Sequence, residues 1–216
     1  MPAKRRSTRS APKASQKAPA DLLHFLDPGF LAKRVGGKSV LLGVTGGIAA
    51  YKACTIASRL AQAGAKVTVA MTESSTHFVT PLTFQALSGR PVYTSSWDHI
   101  ESSDPQHISL ASSLDIAVVA PCTMDTMARL ANGQTSDVLS LILSAIDRKK
   151  TPVLLAPSMN DVMWAQASTQ RNLKTLQDDG FETIGPGDGW MACRSIGPGR
   201  MSEPEAIVAT MCELLG

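Results

Sequence analysis

Four short, almost uninterrupted apolar runs constrain the fold of this chain more than any other feature. They are SVLLGV at residues 39–44, KVTVAM at 66–71, DIAVVA at 115–120 and PVLLA at 152–156. Because apolar residues do not alternate with polar ones, each run predicts a strand that is buried on both faces. Such strands belong in a parallel sheet that helices cover on both sides.

The segments between these runs have the spacing of apolar residues that is typical of helices. Helices are predicted at 48–63, 123–131, 137–146 and 166–178. A fifth strand near 181–184, a Gly- and Pro-rich loop over 185–200 and a closing helix at 204–215 complete the chain. This order predicts an α/β fold with a doubly wound parallel sheet, a three-layer architecture of the Rossmann-like or flavodoxin-like kind.

The first twenty residues differ in composition from the rest. They carry six of the 21 basic residues and no acidic one, which leaves 15 basic against 18 acidic residues elsewhere. We expect a disordered basic tail at 1–20, a linker or short helix at 21–37 and the ligand-binding domain at 38–216. A transit peptide and electrostatic binding of nucleic acid are the less favoured roles for the tail. No apolar run approaches the roughly 18 residues needed to span a bilayer, so no membrane role is expected.

The four cysteines are Cys54, Cys122, Cys193 and Cys212, and they form no CxxC pair. This spacing favours neither a zinc site nor a disulfide framework. We therefore expect no metal and a reducing, cytoplasmic setting.

The turn after the first strand, VTGGIAA at 44–50, is a candidate anion site. Ligands of open α/β sheets bind beyond the carboxyl ends of the strands, and here two glycines and a helix N-terminus follow such an end. The dinucleotide pattern GxGxxG is absent, and glycine in such turns also has purely steric uses. Ser74, after the second strand, either adds a hydroxyl or caps the next helix. Glu73 keeps a nicotinamide dinucleotide open as an alternative ligand.

Three further motifs follow in order along the chain. They are His107 at the start of HISLASSL, DIAVVAPCTMDTMARLANG at 115–133 and PSMNDVMW at 157–164. Together they resemble the family of homo-oligomeric flavin-containing cysteine decarboxylases, from about Lys38 to the C-terminus. Ala192 and Cys193, followed by GPGRM at 197–201, resemble the substrate loop of the branch that acts on 4′-phosphopantothenoylcysteine in coenzyme A synthesis. That branch is the closer match, and a peptidyl-cysteine decarboxylase or a non-catalytic flavoprotein regulatory subunit are the alternatives.

The resemblance implies that FMN is the cofactor and that three loops contact it. Residues after the first two strands would lie near its phosphate and ring, and the segment 121–126 would lie against the flavin. The implied contacts are Thr45, Gly46, Gly47, Ile48, Thr72, Ser74, Phe78, Pro121, Cys122, Thr123, Thr126 and Met159. Cys122 and Asp125 replace the family's usual Ala and Asn, and Asp125 leaves open which contact is made at its position.

The resemblance also implies a reaction. Direct loss of carbon dioxide from a cysteine amide leaves an unstabilised carbanion, so the thiol-bearing carbon is first oxidised to a thioaldehyde with FMN as electron acceptor. His107 is the implied acid or base, and Cys193 the proton donor when the ene-thiol is reduced. Asn160 would hold the substrate carboxylate or amide, and it also suits a helix cap. The remaining implied substrate contacts are Met163, Ala192 and Arg200.

Arg194 and Ser195 stand beside Cys193, where the family often has Gly and an acid. A cation there favours thiolate and weakens Cys193 as a proton donor, or it pairs with the substrate phosphate. By the same resemblance, the protein assembles as a trimer or as trimers grouped into a dodecamer, with FMN between subunits. The ligase that makes the substrate is then expected to be a separate protein.

Overall fold

A six-stranded parallel sheet forms the centre of the protein, in the order β3-β2-β1-β4-β5-β6. The computed structural model describes residues 27–97, 106–190, 192, 194 and 196–216. All pairings in this sheet are parallel. Its strands are β1 (Ser39–Val44), β2 (Lys66–Met71), β3 (Val92–Tyr93), β4 (Ile116–Cys122), β5 (Val153–Pro157) and β6 (Glu182–Thr183). The predicted doubly wound α/β fold is confirmed.

Helices cover both faces of the sheet. One face carries α1 (Pro28–Val35), α2 (Ala50–Gln62), α3 (Pro81–Ser88) and α9 (Pro204–Leu214). The other carries α4 (Gln106–Ser113), α5 (Met124–Ala131), α6 (Val138–Ser144) and α8 (Ala167–Asp178), which the short α7 (Asp161–Ala165) precedes. Along β1, Val40 and Leu42 pack into one hydrophobic cluster and Leu41 into the other. This alternation between two apolar layers explains why the strand sequences are continuously apolar.

The predicted boundaries agree with the structure to within one or two residues for most elements. β4 extends two residues beyond the end of its apolar run, because Cys122 pairs with Pro157 of β5 after a register shift. The helix predicted to start at Ile48 begins at Ala50, since the preceding residues form a turn in which the Gly47 N–H donates to the Thr45 carbonyl at 2.9 Å.

The prediction of a loop over 185–200 is wrong. β7 (Gly187–Trp190) and β8 (Ile196–Arg200) form an antiparallel hairpin outside the main sheet. Its Gly and Pro content hides the alternation of apolar and polar residues that marks a strand. Glycine is needed at Gly199, where φ is +142° and a Cβ would collide with the Met159 carbonyl oxygen. β3 was also missed, since two residues are too few to form a pattern.

Within the described ranges, none of the helices has the length and apolar character to cross a membrane. The same part of the chain holds no group of three His, Cys, Asp or Glu side chains arranged to bind a metal ion. The tail predicted at 1–20 lies outside the described residues.

Candidate functional site

The sheet order creates a crevice at the carboxyl ends of β1 and β4. The chain continues from β1 towards β2 and β3 on one side, and from β4 towards β5 and β6 on the other. At such a switch point the two following loops diverge and leave room for a ligand. A cavity of about 750 Å³ opens there. Its wall comes from the β1–α2 turn, Ser74, the start of α5, the β5–α7 loop and the β7–β8 hairpin.

The β1–α2 turn approaches its neighbours closely. A Cβ on Gly46 would collide with the side chain of Ser74, so only glycine fits there. A Cβ on Gly47 would meet only the Thr123 methyl, at 3.5 Å. The cap residue of α2, Ala49, provides no side-chain hydrogen bond to the first turn of the helix. Because Gly46 to Ala49 line the cavity, this turn presents backbone and a helix N-terminus to a ligand.

Thr45 lies beneath the cavity rather than in its lining. Its buried Oγ1 donates to the Pro121 carbonyl at 2.7 Å and accepts from the Thr123 N–H at 3.1 Å. Thr45 therefore joins the turn after β1 to the turn after β4. Thr123 does line the cavity, and its Oγ1 accepts from the N–H of Thr126 as the cap of α5.

The residues after β2 divide between the cavity and its surroundings. Ser74 lines the cavity, and its Oγ lies 3.2 Å from Oγ1 of the buried Thr72. Phe78 is exposed and does not line the cavity. The alternative that Ser74 caps a helix is wrong, since Thr72 is the cap residue of the 3₁₀ turn at Glu73–His77 and Thr80 that of α3.

Pro121 and Cys122 are at the end of β4, outside the lining of the cavity. Cys122 is fully buried, and burial raises the pKa of its thiol to about 12. The thiol is therefore neutral near neutral pH and packs as a small apolar group. Thr126 is likewise buried outside the lining.

The residues implied to bind substrate do converge on the cavity. The cavity is lined by Asn160, Met163, Ala192 and Arg200, and also by Met159, which the resemblance implies as an FMN contact. Asn160 also caps α7, where its Oδ1 accepts from the Val162 N–H at 2.9 Å, so the predicted helix cap is confirmed. The Met159 N–H donates to the Gly199 carbonyl at 3.0 Å, which attaches the hairpin to this side of the cavity.

His107 does not line the cavity of its own chain. It is the second residue of α4, and this helix ends at Ser113, close before β4 begins at Ile116. The C-terminal end of α4 therefore lies at the amino edge of the sheet, and its N-terminus points towards the carboxyl edge, where the cavity opens. Cys193 lies outside the described residues.

Two lining residues on α2, Tyr51 and Lys52, were missed by the sequence analysis. They follow Ile48, where the sequence predicts the helix to begin, by three and four positions, a spacing that would have placed them beside it on the predicted helix. Lys52 Nζ donates to Glu203 Oε2 at 2.9 Å, and Arg200 Nη2 donates to Glu203 Oε1 at 2.5 Å.

A glycine turn and a helix N-terminus beside a cavity at this switch point define an α/β protein built to bind a ligand that carries phosphate. The chain belongs to the Flavoprotein family, whose model matches residues 31–216. The resemblance inferred from the sequence motifs is thereby confirmed.

Similar proteins refine this assignment. The chain is 45% identical over 179 residues to the coenzyme A biosynthesis bifunctional protein CoaBC of Vibrio vulnificus (strain YJ016), covering 83% of this chain and 44% of that protein. It thus spans less than half the length of this relative. A solved PPC decarboxylase mutant complexed with pantothenoylaminoethenethiol matches with 31% identity and a TM-score of 0.71, over 81% of this chain and 96% of the other. The FMN binding protein AtHal3 matches with 32% identity and a TM-score of 0.69, over 81% of this chain and 94% of the other.

Proposed function

We propose that this protein is an FMN-dependent decarboxylase that converts 4′-phosphopantothenoylcysteine to 4′-phosphopantetheine in coenzyme A synthesis. One observation carries the proposal: a single cavity joins the glycine turn and Thr123 on one side to Asn160, Met163 and Ala192 on the other. The first side suits a phosphate-bearing cofactor and the second a substrate. The names of the CoaBC relative and of the PPC decarboxylase structure support the same reaction.

The cofactor side fits FMN. The glycines at 46 and 47, the N-terminus of α2 and the Ser74 hydroxyl would hold the phosphate, since they bring N–H and O–H donors to one end of the cavity. Thr123 and Met159 would lie against the ring. The hydrogen bonds of the Thr45 hydroxyl fix the turn after β1 against the turn after β4, beneath the cavity. When bound, FMN supplies two-electron oxidation and reduction. Glu73 is exposed and outside the lining, which disfavours the nicotinamide alternative.

Asn160 would orient the substrate. An amide both donates and accepts hydrogen bonds, so it can hold a carboxylate or a peptide-like group. The bond from the Val162 N–H to its Oδ1 fixes the side chain at the cavity wall, so the orienting group is preorganised. Met163 and Ala192 would enclose the chain of the substrate beside it.

We place His107 in the site of a neighbouring subunit, in a trimer or in trimers grouped into a dodecamer. The cavity mouth carries exposed apolar side chains, among them Ile48, Tyr51 and Trp190, that a second subunit would cover. An imidazole brought to that mouth would move a proton at the substrate thiol or carboxylate. A reducing cytoplasm is the proposed location, because it keeps thiols reduced.

The test measures carbon dioxide release from 4′-phosphopantothenoylcysteine by the FMN-bearing protein and by Asn160→Asp. Aspartate still caps α7 but loses the amide donor and repels a carboxylate, so we expect a rate about 100-fold lower with unchanged folding. The control is Asn132→Asp at the exposed end of α5, which keeps the wild-type rate. An inactive wild type, or Asn160→Asp at full rate, contradicts the proposal.

A further inference from the structure

The side of the cavity formed by α2 and the β7–β8 hairpin holds two cations to which no particular group of the substrate has yet been assigned. Lys52 and Arg200 line the cavity, and each donates to a different oxygen of Glu203. The Lys52 side chain is only 11% exposed. Removing an ammonium group from water to this extent is unfavourable unless partners compensate for it.

The charges on this wall do not balance. Two cations share one carboxylate, which leaves one positive charge in excess beside the cavity. Asp125 does not belong to this wall: it lies on the α5 side of the cavity, where it shares Arg129 with Asp137. The α2 wall therefore attracts an anion.

We propose that Lys52 and Arg200 bind the phosphate monoester of the substrate. This inference rests on the proposed function, to which it adds the group that recognises the far end of the substrate. An ammonium group and a guanidinium fork together suit a phosphate dianion, because both form charge-assisted hydrogen bonds to its oxygens.

Position separates this site from the other two anion sites of the cavity. The cofactor phosphate is proposed to bind at the backbone of residues 46–49, whereas Lys52 Nζ lies 2.9 Å from Glu203, the residue that also pairs with Arg200 of the hairpin. The substrate carboxylate is proposed to bind at Asn160. A long chain separates the substrate phosphate from that carboxylate, so the phosphate must lie near the mouth, where the side chains of Arg200 and Glu203 are 42% and 49% exposed.

The test compares the affinities of the FMN-bearing protein for 4′-phosphopantetheine and for pantetheine, measured by titration calorimetry. The wild type should prefer the phosphorylated compound. Lys52→Met keeps the length of the side chain but removes the charge, and we expect it to lower that preference about tenfold, the effect of losing one charge-assisted bond. Affinity for pantetheine and FMN content should stay unchanged, and Lys52→Arg should restore most of the preference.

The matched control is Lys174→Met, which removes a lysine paired with Asp178 on the remote helix α8 and should change neither affinity. Equal weakening of both compounds by Lys52→Met would overturn the inference, as would loss of FMN without any change in preference. Because these titrations need no turnover, failure of the proposed reaction is separately visible as an inactive wild type that still distinguishes the two compounds.

Discussion

Thr45 shows at the scale of one residue where sequence reasoning reached its limit. A threonine beside two glycines after a strand is typical of a phosphate-binding turn, so the sequence predicts a cofactor contact. The structure gives both hydrogen-bonding functions of its hydroxyl to Pro121 and Thr123. These partners are 76 and 78 residues away in the chain, and no local pattern identifies them. Asn160 could be predicted as a helix cap because capping depends only on its neighbours.

Replacing Thr45 tests its role as a link between the two turns. Thr45→Val keeps the shape but leaves the Thr123 N–H and the Pro121 carbonyl without their partner, so we expect a loss of about 2 kcal/mol in the free energy of unfolding. Thr45→Ser keeps both bonds and should retain most of the stability. Urea denaturation measures both, with Thr175→Val on exposed α8 as the control. If Thr45→Val and the control unfold at the same urea concentration, Thr45 is not a structural link.

At the scale of elements, the strands of the sheet and their flanking helices followed from apolar periodicity, because each strand must face two apolar layers. The β7–β8 hairpin could not be predicted in this way. It forms through pairing between its own two strands and through the hydrogen bond from the Met159 N–H to the Gly199 carbonyl. The start of β1 depends on a similar distant contact. Asp115, which precedes β4, accepts from the Ser39 N–H at 2.8 Å and from Lys38 Nζ at 3.0 Å.

This contact makes a pH-dependent contribution to stability. The bond from the Ser39 N–H, together with Lys38, lowers the pKa of Asp115 below its ordinary value of 3.8. Its contribution is therefore fully present above pH 3.8 and is lost as the pH falls through the lowered pKa of the folded protein. At neutral pH we expect Asp115→Asn to be less stable by about 1 kcal/mol, since solvent screens this partly exposed site.

Urea midpoints measured from neutral to acidic pH check this expectation. The difference between wild type and Asp115→Asn should narrow below pH 3.8. Asp178→Asn, which removes an exposed aspartate paired with Lys174, is the control and should show a smaller difference. A constant difference at every pH would show that the charge of Asp115 does not contribute.

At the scale of the whole molecule, the sequence motifs identify a set of site residues that do not all lie at the cavity of a single chain. The substrate-side residues Asn160, Met163 and Ala192 meet at the cavity, whereas His107 lies outside it. Order along a chain indicates membership of a site, but it does not tell which subunit supplies each residue. An assembly in which α4 of one subunit reaches the cavity of another reconciles the motif with the structure.

Mixed assemblies test this arrangement. His107→Asn and Asn160→Asp are each expected to lose almost all activity alone. If each site takes these two residues from different subunits, equal co-expression should restore about a quarter of the wild-type rate, because that fraction of sites combines intact copies of both. Two affinity tags on the two chains isolate the mixed assemblies, and in mixed trimers the expected fraction rises to about a third because the homotrimers have been removed. Mixed assemblies that remain inactive would place both residues in the same chain's site.

The most direct test of the proposed reaction is the mass of the product formed from 4′-phosphopantothenoylcysteine by the purified, FMN-bearing protein. We expect a product lighter by one carbon dioxide, which is saturated 4′-phosphopantetheine. Recovery of unchanged substrate from protein that carries FMN would contradict the proposed function. A product lighter by a further two hydrogens would confirm decarboxylation and contradict the reductive step proposed to end it.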